Sequence, residues 1–452
     1  MIHPSRREFL RNTATAALGA GLVTTTPRAR AAATRAQSVS PNERIATGLV
    51  GCGGMGLGDL ADHLRIPEVD CLAVCDVDES HAQQAADLVE RERGHRPEVT
   101  GDFRRLIDRK EIDAVIVATP DHWHALPTIY ACQAGKDVYV EKPLATSIEE
   151  GRAMVKAARR HDRVVQMGTQ QRSAVHFHDA VEYVKSGKLG KVRLVRVWAY
   201  LDWVGELAPV ADSAPPPGVD YDFWLGPAPK RPFNERRFHF TFRWFWDYSG
   251  GLMTDWGAHM LDVAQWAMGS GGENAPKSVM SVGGKYGYPS DAMETPDTQQ
   301  AIFEYPDYSV IWEHALGVGR GPQDREHGVM FHGNDAILIV DREGWEVLSE
   351  TDNTRGVGRT YKALGLPRRN DSSDYHFEHV KNFIDCVKSR EKPHSDVEIG
   401  HHSVIPLHLA NIAVRLNTQV HWDAAAERII GKPEAQRLVG REYRTPWSLP
   451  VG

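Results

Sequence analysis

Two segments of the chain contain side chains that suit acid–base chemistry. Glu141 and Lys142 follow a short apolar run, and Asp255 and His259 lie four residues apart further along the chain. Residues four apart share one face of a helix, so the second pair predicts a carboxylate beside an imidazole. A carboxylate can orient an imidazole ring and raise its basicity, which makes this pair a candidate general base. A structural core pair and a zinc pair are the alternatives, but no third ligand follows at a suitable spacing, so no metal is predicted.

A glycine-rich segment predicts a phosphate-binding turn. A short strand expected over residues 44–50 runs directly into the sequence GCGGMG at residues 51–56, and a helix is expected over residues 57–64. Between a strand and a helix, this spacing gives a tight turn, close approach of the backbone to a pyrophosphate, and close helix packing. The helix N-terminus would also present free N–H groups to phosphate. The segment therefore predicts a dinucleotide site.

Asp76 ends the next predicted strand, residues 70–75, and lies 20 residues after Gly56. A carboxylate in this place accepts hydrogen bonds from the ribose hydroxyls of a dinucleotide and repels a 2′-phosphate. No arginine follows directly, so the cofactor predicted is NAD, with NADP the less favoured choice. The alternative is an ordinary surface acid at the end of a strand.

The elements that must position these groups alternate between strand and helix, which predicts a doubly wound parallel sheet. In such sheets ligands bind beyond the carboxyl ends of the strands. Three loops with reactive side chains follow predicted strands here, at residues 119–124, 141–143 and 168–172. They would converge at one edge of the sheet. The elements expected after Asp76 are helices 80–93, 124–134 and 148–160 and strands 114–118, 137–140 and 164–167.

The second half of the chain predicts a different sheet. Strands are expected over residues 191–200, 278–285, 298–305, 309–316, 329–331 and 336–340, most of them joined by turns rather than long helices. The fold class predicted is α/β: an N-terminal Rossmann doubly wound parallel sheet and a C-terminal α+β domain with an open, mainly antiparallel sheet. Helices over residues 375–389 and 401–416 would pack on this body. Residues 202–243, rich in proline and aromatic side chains, predict an ordered loop near a ligand.

The predicted organisation has four parts. Residues 1–36 form a signal peptide and linker, and residues 43–168 form the dinucleotide-binding domain. Residues 169–430 form the substrate-binding domain, and residues 431–452 form a C-terminal tail.

Composition excludes several classes of protein. Of 452 residues, 41% are hydrophobic and 25% are charged, which is typical of a globular protein rather than a disordered one. The net charge of −7 argues against a general nucleic-acid binder. Five cysteines cannot all pair and none lies in a CxxC motif, so free thiols and folding in a reducing compartment are predicted.

The first 31 residues have the layout of a bacterial export signal. Ser-Arg-Arg-Glu-Phe-Leu at residues 5–10 is a twin-arginine pattern, followed by a weakly apolar run at residues 14–23 and an A-x-A pattern at residues 29–31. The run is too short to span a membrane, so no stable membrane insertion is expected. This signal resembles those of the twin-arginine pathway, which exports proteins that are already folded. Export in the folded state is consistent with unpaired cysteines and with a cofactor bound in the cytoplasm. The predicted location is periplasmic or extracytoplasmic, with the export machinery as a partner; a tail with a chance arginine pair is the alternative.

Taken together, the motifs resemble the Gfo/Idh/MocA family, named for glucose–fructose oxidoreductase, inositol dehydrogenase and a rhizopine-catabolism protein. The resemblance covers roughly residues 45–416. It depends on the glycine motif, on Asp76, on Thr119-Pro120 with His124, on Glu141-Lys142-Pro143 and on the Asp255/His259 spacing.

The resemblance implies a role for each matching residue. Lys142, Asp255 and His259 would be catalytic, with His259 as the acid–base group oriented by Asp255. Gln171 and Arg172 would contact substrate together with Asp255 and His259. The second domain would also form the interface of a homo-oligomer. The residues implied to bind the cofactor are Gly51, Gly53, Gly54, Met55, Gly56, Asp76, Thr119, Pro120, His124, Glu141 and Lys142.

The expected function is that of an exported NAD-dependent oxidoreductase acting on a secondary hydroxyl of a sugar or polyol. Because free NAD is scarce outside the cytoplasm, the cofactor should stay tightly bound and be restored in every cycle. One alternative is an NAD-dependent glycoside hydrolase or lyase that oxidises the sugar transiently. The sequence lacks an obvious hydrolase signature near the predicted acid–base helix. A second alternative is a non-catalytic sugar-binding or sensor protein.

Overall fold

The computed structural model describes residues 44–352, 360–362 and 365–450. The predicted export signal at residues 1–36 lies outside this part of the chain. The fold class predicted from the sequence is confirmed: a parallel Rossmann sheet is followed by a second domain built on a larger, mainly antiparallel sheet.

The first sheet has six parallel strands in the spatial order β3-β2-β1-β4-β5-β6. All four residues of β4, an Ala-Val-Ile-Val run, are buried because helices cover both faces of the sheet. The order reverses between β1 and β4, which places the ligand crevice of such folds next to the β1 turn. The strands are β1 (Ile45–Val50), β2 (Val69–Cys75), β3 (Glu98–Thr100), β4 (Ala114–Val117), β5 (Asp137–Val140) and β6 (Val165–Met167).

Five helices connect these strands, and side-chain caps fix where several of them begin. Asp78 accepts a hydrogen bond from the Ser80 N–H at the start of α2, and Ser147 accepts one from the Glu150 N–H at the start of α5. The α2 helix ends at Gly94 in the left-handed conformation. The helices are α1 (Gly54–Leu64), α2 (Glu79–Arg93), α3 (Phe103–Ile107), α4 (Ala125–Gln133) and α5 (Ile148–Arg160).

The second sheet has ten strands in the order β16-β13-β12-β11-β7-β10-β9-β8-β17-β18. Its neighbouring strands pair antiparallel except β7 and β10, which run parallel. A separate two-stranded ribbon joins β14 and β15. The strands are β7 (Leu194–Leu201), β8 (Ser278–Gly284), β9 (Thr298–Glu304), β10 (Ser309–Leu316), β11 (His327–His332), β12 (Ala336–Asp341), β13 (Gly344–Ser349), β14 (Thr351–Asp352), β15 (Thr360–Tyr361), β16 (Leu366–Asn370), β17 (Val420–Asp423) and β18 (Arg428–Ile429).

The remaining helices join the two sheets into one hydrophobic body. Phe383 of α10 packs with Leu60 of α1 and Ile116 of β4, so a helix from late in the chain covers one face of the Rossmann sheet. The helices are α6 (Val175–Lys185), α7 (Tyr221–Leu225), α8 (Gly251–Asp255), α9 (Gly257–Met268), α10 (Tyr375–Ser389), α11 (Val397–Leu416) and α12 (Pro433–Gln436).

The last part of the chain packs against the Rossmann domain. Arg441 Nε donates to Glu150 Oε1 at 2.7 Å, and the Trp447 ring lies 4.9 Å from the Trp123 ring. The predicted C-terminal tail therefore supports the wall of the first domain instead of extending away from it.

The five cysteines are buried and free, which confirms the prediction of unpaired thiols. None of the helices in the described part of the chain is both long and apolar enough to cross a lipid bilayer.

Candidate active site

The site is a cavity of about 600 Å³ beyond the carboxyl ends of the Rossmann strands. One end is lined by the glycine turn and Asp76, and the other by Glu141, Lys142 and Arg243. Phe240 and Phe242, from the predicted ligand-side loop at residues 202–243, close one side. This volume is typical of a cofactor or small-molecule site.

The glycine turn has the geometry that a dinucleotide phosphate needs. Gly51 has a φ of +92°, and a Cβ there would come within 2.6 Å of the Ala118 and Thr119 backbone. A Cβ on Gly56 would lie 1.9 Å from the Gly51 carbonyl oxygen, so only glycine allows this close packing of α1. A Cβ on Gly53 or Gly54 would meet nothing within 4 Å, so open space lies above the turn.

The first turn of α1 leaves its N–H groups available. It has no side-chain cap and no acidic residue, in contrast to α2 and α5. The free N–H groups and the helix dipole make this helix end a site for an anion such as a pyrophosphate. The residues of this chain therefore fit the phosphates of the predicted cofactor, and Met55 is partly exposed beside them.

Asp76 lies at the end of β2, facing the same cavity. Its two carboxylate oxygens accept hydrogen bonds from the Cys52 N–H at 2.6 Å and the Asp78 N–H at 2.9 Å. Burial raises the pKa of Asp76, and these two backbone bonds oppose the rise. The carboxylate is thus held in a fixed orientation at the end of the cavity where a ribose is expected.

Thr119 and Pro120 face the cavity, whereas His124 does not. Thr119 and Pro120 line the cavity as expected. His124 is buried behind them, with Nδ1 2.7 Å from the Pro143 carbonyl oxygen and Nε2 2.9 Å from the Thr119 carbonyl oxygen. The expectation that His124 lines the cofactor is therefore corrected: both ring nitrogens face backbone, and the ring joins two loops of the cavity wall.

Lys142 and Asp255 form a buried ion pair at the far end of the cavity. Lys142 Nζ donates to Asp255 Oδ1, and Arg243 Nε lies 3.5 Å from the same oxygen. Burial alone would raise the pKa of Asp255, but the two cations outweigh burial and lower it to about 2. Asp255 is therefore a carboxylate at any physiological pH, and it fixes both cations.

The interpretation of Asp255 and His259 as neighbours on one helix is wrong. Asp255 ends the short helix α8, and His259 lies in the first turn of α9, with Trp256 between the two helices. Glycine at position 257, a poor helix former, stands at this break. The structure gives the two residues different partners, so Asp255 orients Lys142 rather than His259.

The hydrogen-bond partner of His259 is Gln171, which the family resemblance implied to be a substrate contact. The His259 Nδ1 atom lies 3.0 Å from the end of the Gln171 amide. The amide fits best with its oxygen accepting from Arg342 Nε and Nη2, at 3.1 and 3.2 Å, and its nitrogen donating to His259 Nδ1. In that arrangement a neutral ring has its proton on Nε2; the opposite orientation of the amide would leave Nε2 as an acceptor.

His259 is held in the neutral form. Burial, the Arg342 guanidinium and the Lys142 ammonium together lower its pKa well below the ordinary value for histidine. Arg342 also lies over the Trp256 ring, with its guanidinium carbon 4.6 Å from the ring centroid. Sequence reasoning missed Arg342 because it follows β12, far along the chain, and no local motif marks it.

Arg172 does not contribute to this cavity. Its guanidinium makes two hydrogen bonds to the carboxylate of Asp262, at 2.7 and 2.8 Å, and both side chains are buried. The expected substrate contact by Arg172 is therefore corrected. Gln171 and Arg172 share a 3₁₀ turn, where successive side chains point in different directions, so Gln171 contacts His259 while Arg172 contacts Asp262.

Glu141 faces a second buried carboxyl group, that of Asp59 on α1. Burial and the Asp59 charge raise the pKa of Glu141 to about 8, so this side chain is protonated at neutral pH. His376 of α10 lies 3.2 Å from Asp59 Oδ1, and bonds to Asp59 and Asp62 raise its pKa to about 10 despite partial burial. Sequence reasoning missed Asp59 and His376, which lie 317 residues apart.

The comparisons with known proteins agree with this geometry. Residues 45–169 match the description "Oxidoreductase family, NAD-binding Rossmann fold". Residues 175–310 and 369–449 match "Oxidoreductase family, C-terminal alpha/beta domain". Both descriptions are of domains of the Gfo/Idh/MocA family, and the matched residues together cover most of the chain. The protein belongs to this oxidoreductase family, and its first domain is an NAD-binding domain.

Curated relatives differ in how much of their length is matched. The chain is 24% identical to myo-inositol 2-dehydrogenase of Thermotoga maritima over 390 residues, which is 85% of this chain and 99% of that protein. It is 27% identical to the uncharacterized oxidoreductase YrbE of Bacillus subtilis over 50% of this chain and 55% of that protein. It is 32% identical to glycosyl hydrolase family 109 protein 1 of a Shewanella strain, over 34% of this chain and 37% of that protein. The match thus spans about half of YrbE and about a third of the hydrolase.

Solved structures share the fold. The WlbA dehydrogenase of Bordetella pertussis, solved with NADH and UDP-GlcNAcA, is 19% identical, with a TM-score of 0.60 over 84% of this chain and 99% of that one. Levoglucosan dehydrogenase, solved with NADH and levoglucosan, is 18% identical, with a TM-score of 0.61 over the same shares. At this identity the likeness shows the architecture alone.

Proposed function

We propose that this protein oxidises a secondary hydroxyl of a sugar or polyol with a tightly bound NAD. The observation that supports this most is the asymmetry of one continuous cavity. Its glycine end offers free N–H groups and a fixed carboxylate, while its other end offers the Lys142–Asp255 ion pair, beside which lies the neutral imidazole of His259. The name of one relative matched over 99% of its length, myo-inositol 2-dehydrogenase, supports a polyhydroxy substrate.

Lys142 supplies positive charge where an alcohol oxygen loses its proton. The Lys142 ammonium is held by Asp255 and is largely shielded from bulk water, so it can stabilise a developing alkoxide more than a fully solvated lysine would. NAD, when bound, supplies the hydride acceptor. The chain's own residues supply binding, orientation and proton transfer.

His259 is the group that takes the hydroxyl proton or returns it. The neutral ring can accept the hydroxyl proton at Nε2 when its own proton lies on Nδ1, and the imidazolium so formed returns that proton in the reverse reaction. The Gln171 amide sets which tautomer is present, because its oxygen and nitrogen favour opposite protonation of Nδ1. The amide orientation that fits best puts the ring proton on Nε2, so uptake of the hydroxyl proton requires the amide oxygen to turn toward Nδ1. We therefore assign Gln171 as the positioning residue for this step.

The proposal is tested by purifying the chain without added cofactor, releasing its NAD(H) by denaturation, and offering sugars to the native protein. The expected result is about one NAD per chain and the formation of bound NADH with at least one member of a panel that includes myo-inositol and levoglucosan. NADP in place of NAD, or no reduction by any member of a broad panel of sugars and polyols, would contradict the proposal.

A second candidate is a glycoside hydrolase that oxidises and then re-reduces the same sugar. The 32% identity to a glycosyl hydrolase family 109 protein over 174 residues favours it. The two candidates are separated with a nitrophenyl glycoside. NAD-dependent release of nitrophenol without net NADH would indicate the hydrolase, and net NADH without release would indicate the dehydrogenase.

We also propose export through the twin-arginine route, on the sequence pattern at residues 5–10. Replacing Arg6 and Arg7 together by lysine should leave the protein in the cytoplasm, while replacing Arg28 and Arg30 should not block export. Equal export of both double variants would contradict this proposal.

A homo-oligomer is proposed from exposed apolar side chains on the open face of the large sheet. Met280, Val282 and Ile302 of β8 and β9 are each about half exposed, which is unusual for neighbouring apolar residues in a monomer. Light scattering should give a mass above that of one chain, and the double variant Val282→Lys, Ile302→Lys should lower it. A monomeric wild-type protein would contradict the proposal.

A further inference from the structure

A group of metal-binding side chains lies beside Asp76, at the ribose end of the cavity. Asp78 and His81 come from the start of α2, and His239 comes from the 202–243 segment. His239 Nε2 lies 3.0 Å from Asp78 Oδ2, and the two imidazole centroids are 4.5 Å apart. One ligand atom from each of the three residues lies within 4.8 Å of the other two.

The 202–243 segment is already fixed at this place by its backbone. The Glu79 N–H donates to the Gly218 carbonyl at 3.0 Å, and the Asp220 N–H donates to the Val77 carbonyl at 2.9 Å. These bonds bring two distant parts of the chain together before any ion is bound, which lowers the entropic cost of assembling a site.

His239 adopts a backbone conformation that is uncommon for a residue other than glycine. Its φ is +49°, in the left-handed region that a non-glycine residue seldom occupies. Such backbone strain persists where the surroundings require it, and it is concentrated at functional sites. Here it places the ring against Asp78 and His81 at the edge of the cavity.

The donor set suits a transition metal. Asp78 uses Oδ1 to cap α2 through the Ser80 N–H, so Oδ2 is the oxygen directed at the histidines. Two imidazoles and one carboxylate form a ligand set typical of zinc, with a fourth position left for water.

We propose that Asp78, His81 and His239 bind one divalent transition-metal ion of the zinc class. The ion would link the 202–243 segment to the loop that follows β2, next to the ribose carboxylate Asp76. This link would hold one wall of the cavity in place and slow the release of a bound dinucleotide.

The test is metal binding to the full chain after chelator treatment, with Zn²⁺ and Co²⁺ as probes. We expect one ion per chain and a Co²⁺ spectrum that indicates nitrogen ligands. His81→Ala and His239→Ala should each weaken binding by at least ~10-fold, the lower limit seen for changes around a metal site. His95→Ala is the matched control: His95 pairs with Asp70 at 2.8 Å in the same domain, and its loss should leave binding unchanged.

Metal content is measured without sugar and without turnover. A chain that binds no metal can therefore be distinguished from a chain that does not oxidise sugars. Less than stoichiometric binding by the wild-type chain would overturn the proposal, as would equal binding by the wild type and both histidine variants. If either alanine variant is unstable by thermal denaturation, His81→Gln and His239→Gln replace it under the same criteria. Faster NAD release after chelation would add support, and a release rate unaffected by chelator would overturn the proposed link to the cofactor.

Discussion

The two ends of the cavity hold their ligands by different means. At the glycine end, backbone N–H groups, open space above the turn and one carboxylate make a preformed surface. At the opposite end, charged side chains are buried against one another, with the pKa of Asp255 lowered to about 2 and that of Glu141 raised to about 8. Displaced pKa values of this kind are concentrated where protons move. The first end is suited to holding a cofactor and the second to chemistry.

The ends also differ in how the chain builds them. The glycine turn and Asp76, which carry the binding groups of the first end, come from one continuous stretch, residues 50–76. The other end needs residues from β5, from the turn after β6, from α8 and α9, and from the loop after β12. Substitutions at the glycine end should therefore weaken NAD binding, whereas substitutions at the other end should lower turnover.

Among the substitutions that compare the two ends, Lys142→Met is expected to have the largest effect. This variant keeps the volume of the side chain but removes the charge that Asp255 fixes, so turnover should fall by ~10²–10³-fold. NAD affinity should remain close to that of the wild type, because the glycine end is untouched. Lys156→Met, at an exposed position on α5, is the control and should have wild-type activity. If the Lys142→Met variant lost NAD binding together with turnover, the two ends would not have the separate roles assigned to them.

Asp76→Ala should give the opposite pattern. NAD binding should weaken by about 10- to 100-fold, since a hydrogen bond to a charged group contributes about 1.5–3 kcal/mol. Turnover at saturating NAD should change little, and binding of NADP should improve because the negative charge is gone. Asp87→Asn, an exposed acid on α2, serves as the control. Fluorescence titration with both dinucleotides makes the measurement, and a fall in turnover at saturation would contradict the assignment.

Gln171→Leu should lower kcat by about tenfold, the value of one to two neutral hydrogen bonds, with substrate KM little changed. The amide that fixes the tautomer of His259 is lost, so the pH profile of kcat should also change shape. Gln170→Leu, in the same 3₁₀ turn, is the matched control. A change in KM alone would assign Gln171 to substrate binding instead.

Glu141→Gln should have its effect on stability rather than on turnover. The pKa of Glu141 is 4.5 in its ordinary state and about 8 in the folded protein. The folded state therefore holds a proton that the unfolded state has lost, and this contribution to stability is full below pH 4.5 and disappears as the pH rises through 8. Replacing the acid by an amide should remove this part of the pH dependence.

The difference is measured by thermal denaturation between pH 5 and pH 8. We expect the fall in Tm over this range to be a few degrees smaller in Glu141→Gln than in the wild type. Glu149→Gln, on the first turn of α5, is the control. Parallel curves for the wild type and Glu141→Gln would show that Glu141 is ionised in the folded protein.

These two ends also show what could be predicted from the sequence. The glycine turn and Asp76 are local motifs, with spacing set by one strand, one helix and the next strand, so their positions follow from the order of elements. Lys142 was predictable for the same reason, because it follows a strand whose end must reach the ligand edge.

The contacts at the other end were not predictable. Helical spacing suggested contact between Asp255 and His259, but Asp255 pairs with Lys142 and His259 contacts Gln171. Adjacent residues in a 3₁₀ turn diverge, so Gln171 contacts His259 and Arg172 contacts Asp262. Arg342 and His376 arrive through long-range packing of β12 and α10, and no short pattern encodes that.

The central claim is that His259, beside the Lys142–Asp255 pair, moves the proton while hydride passes between a sugar and NAD. The most direct test is a single turnover of wild-type and His259→Ala protein, both loaded with NAD, using a sugar substrate deuterated at its carbon-bound hydrogens. The account predicts deuterium on the cofactor in the wild type and transfer slowed by ~10²–10⁴-fold in the variant with NAD still bound. Transfer at the wild-type rate in His259→Ala would contradict it.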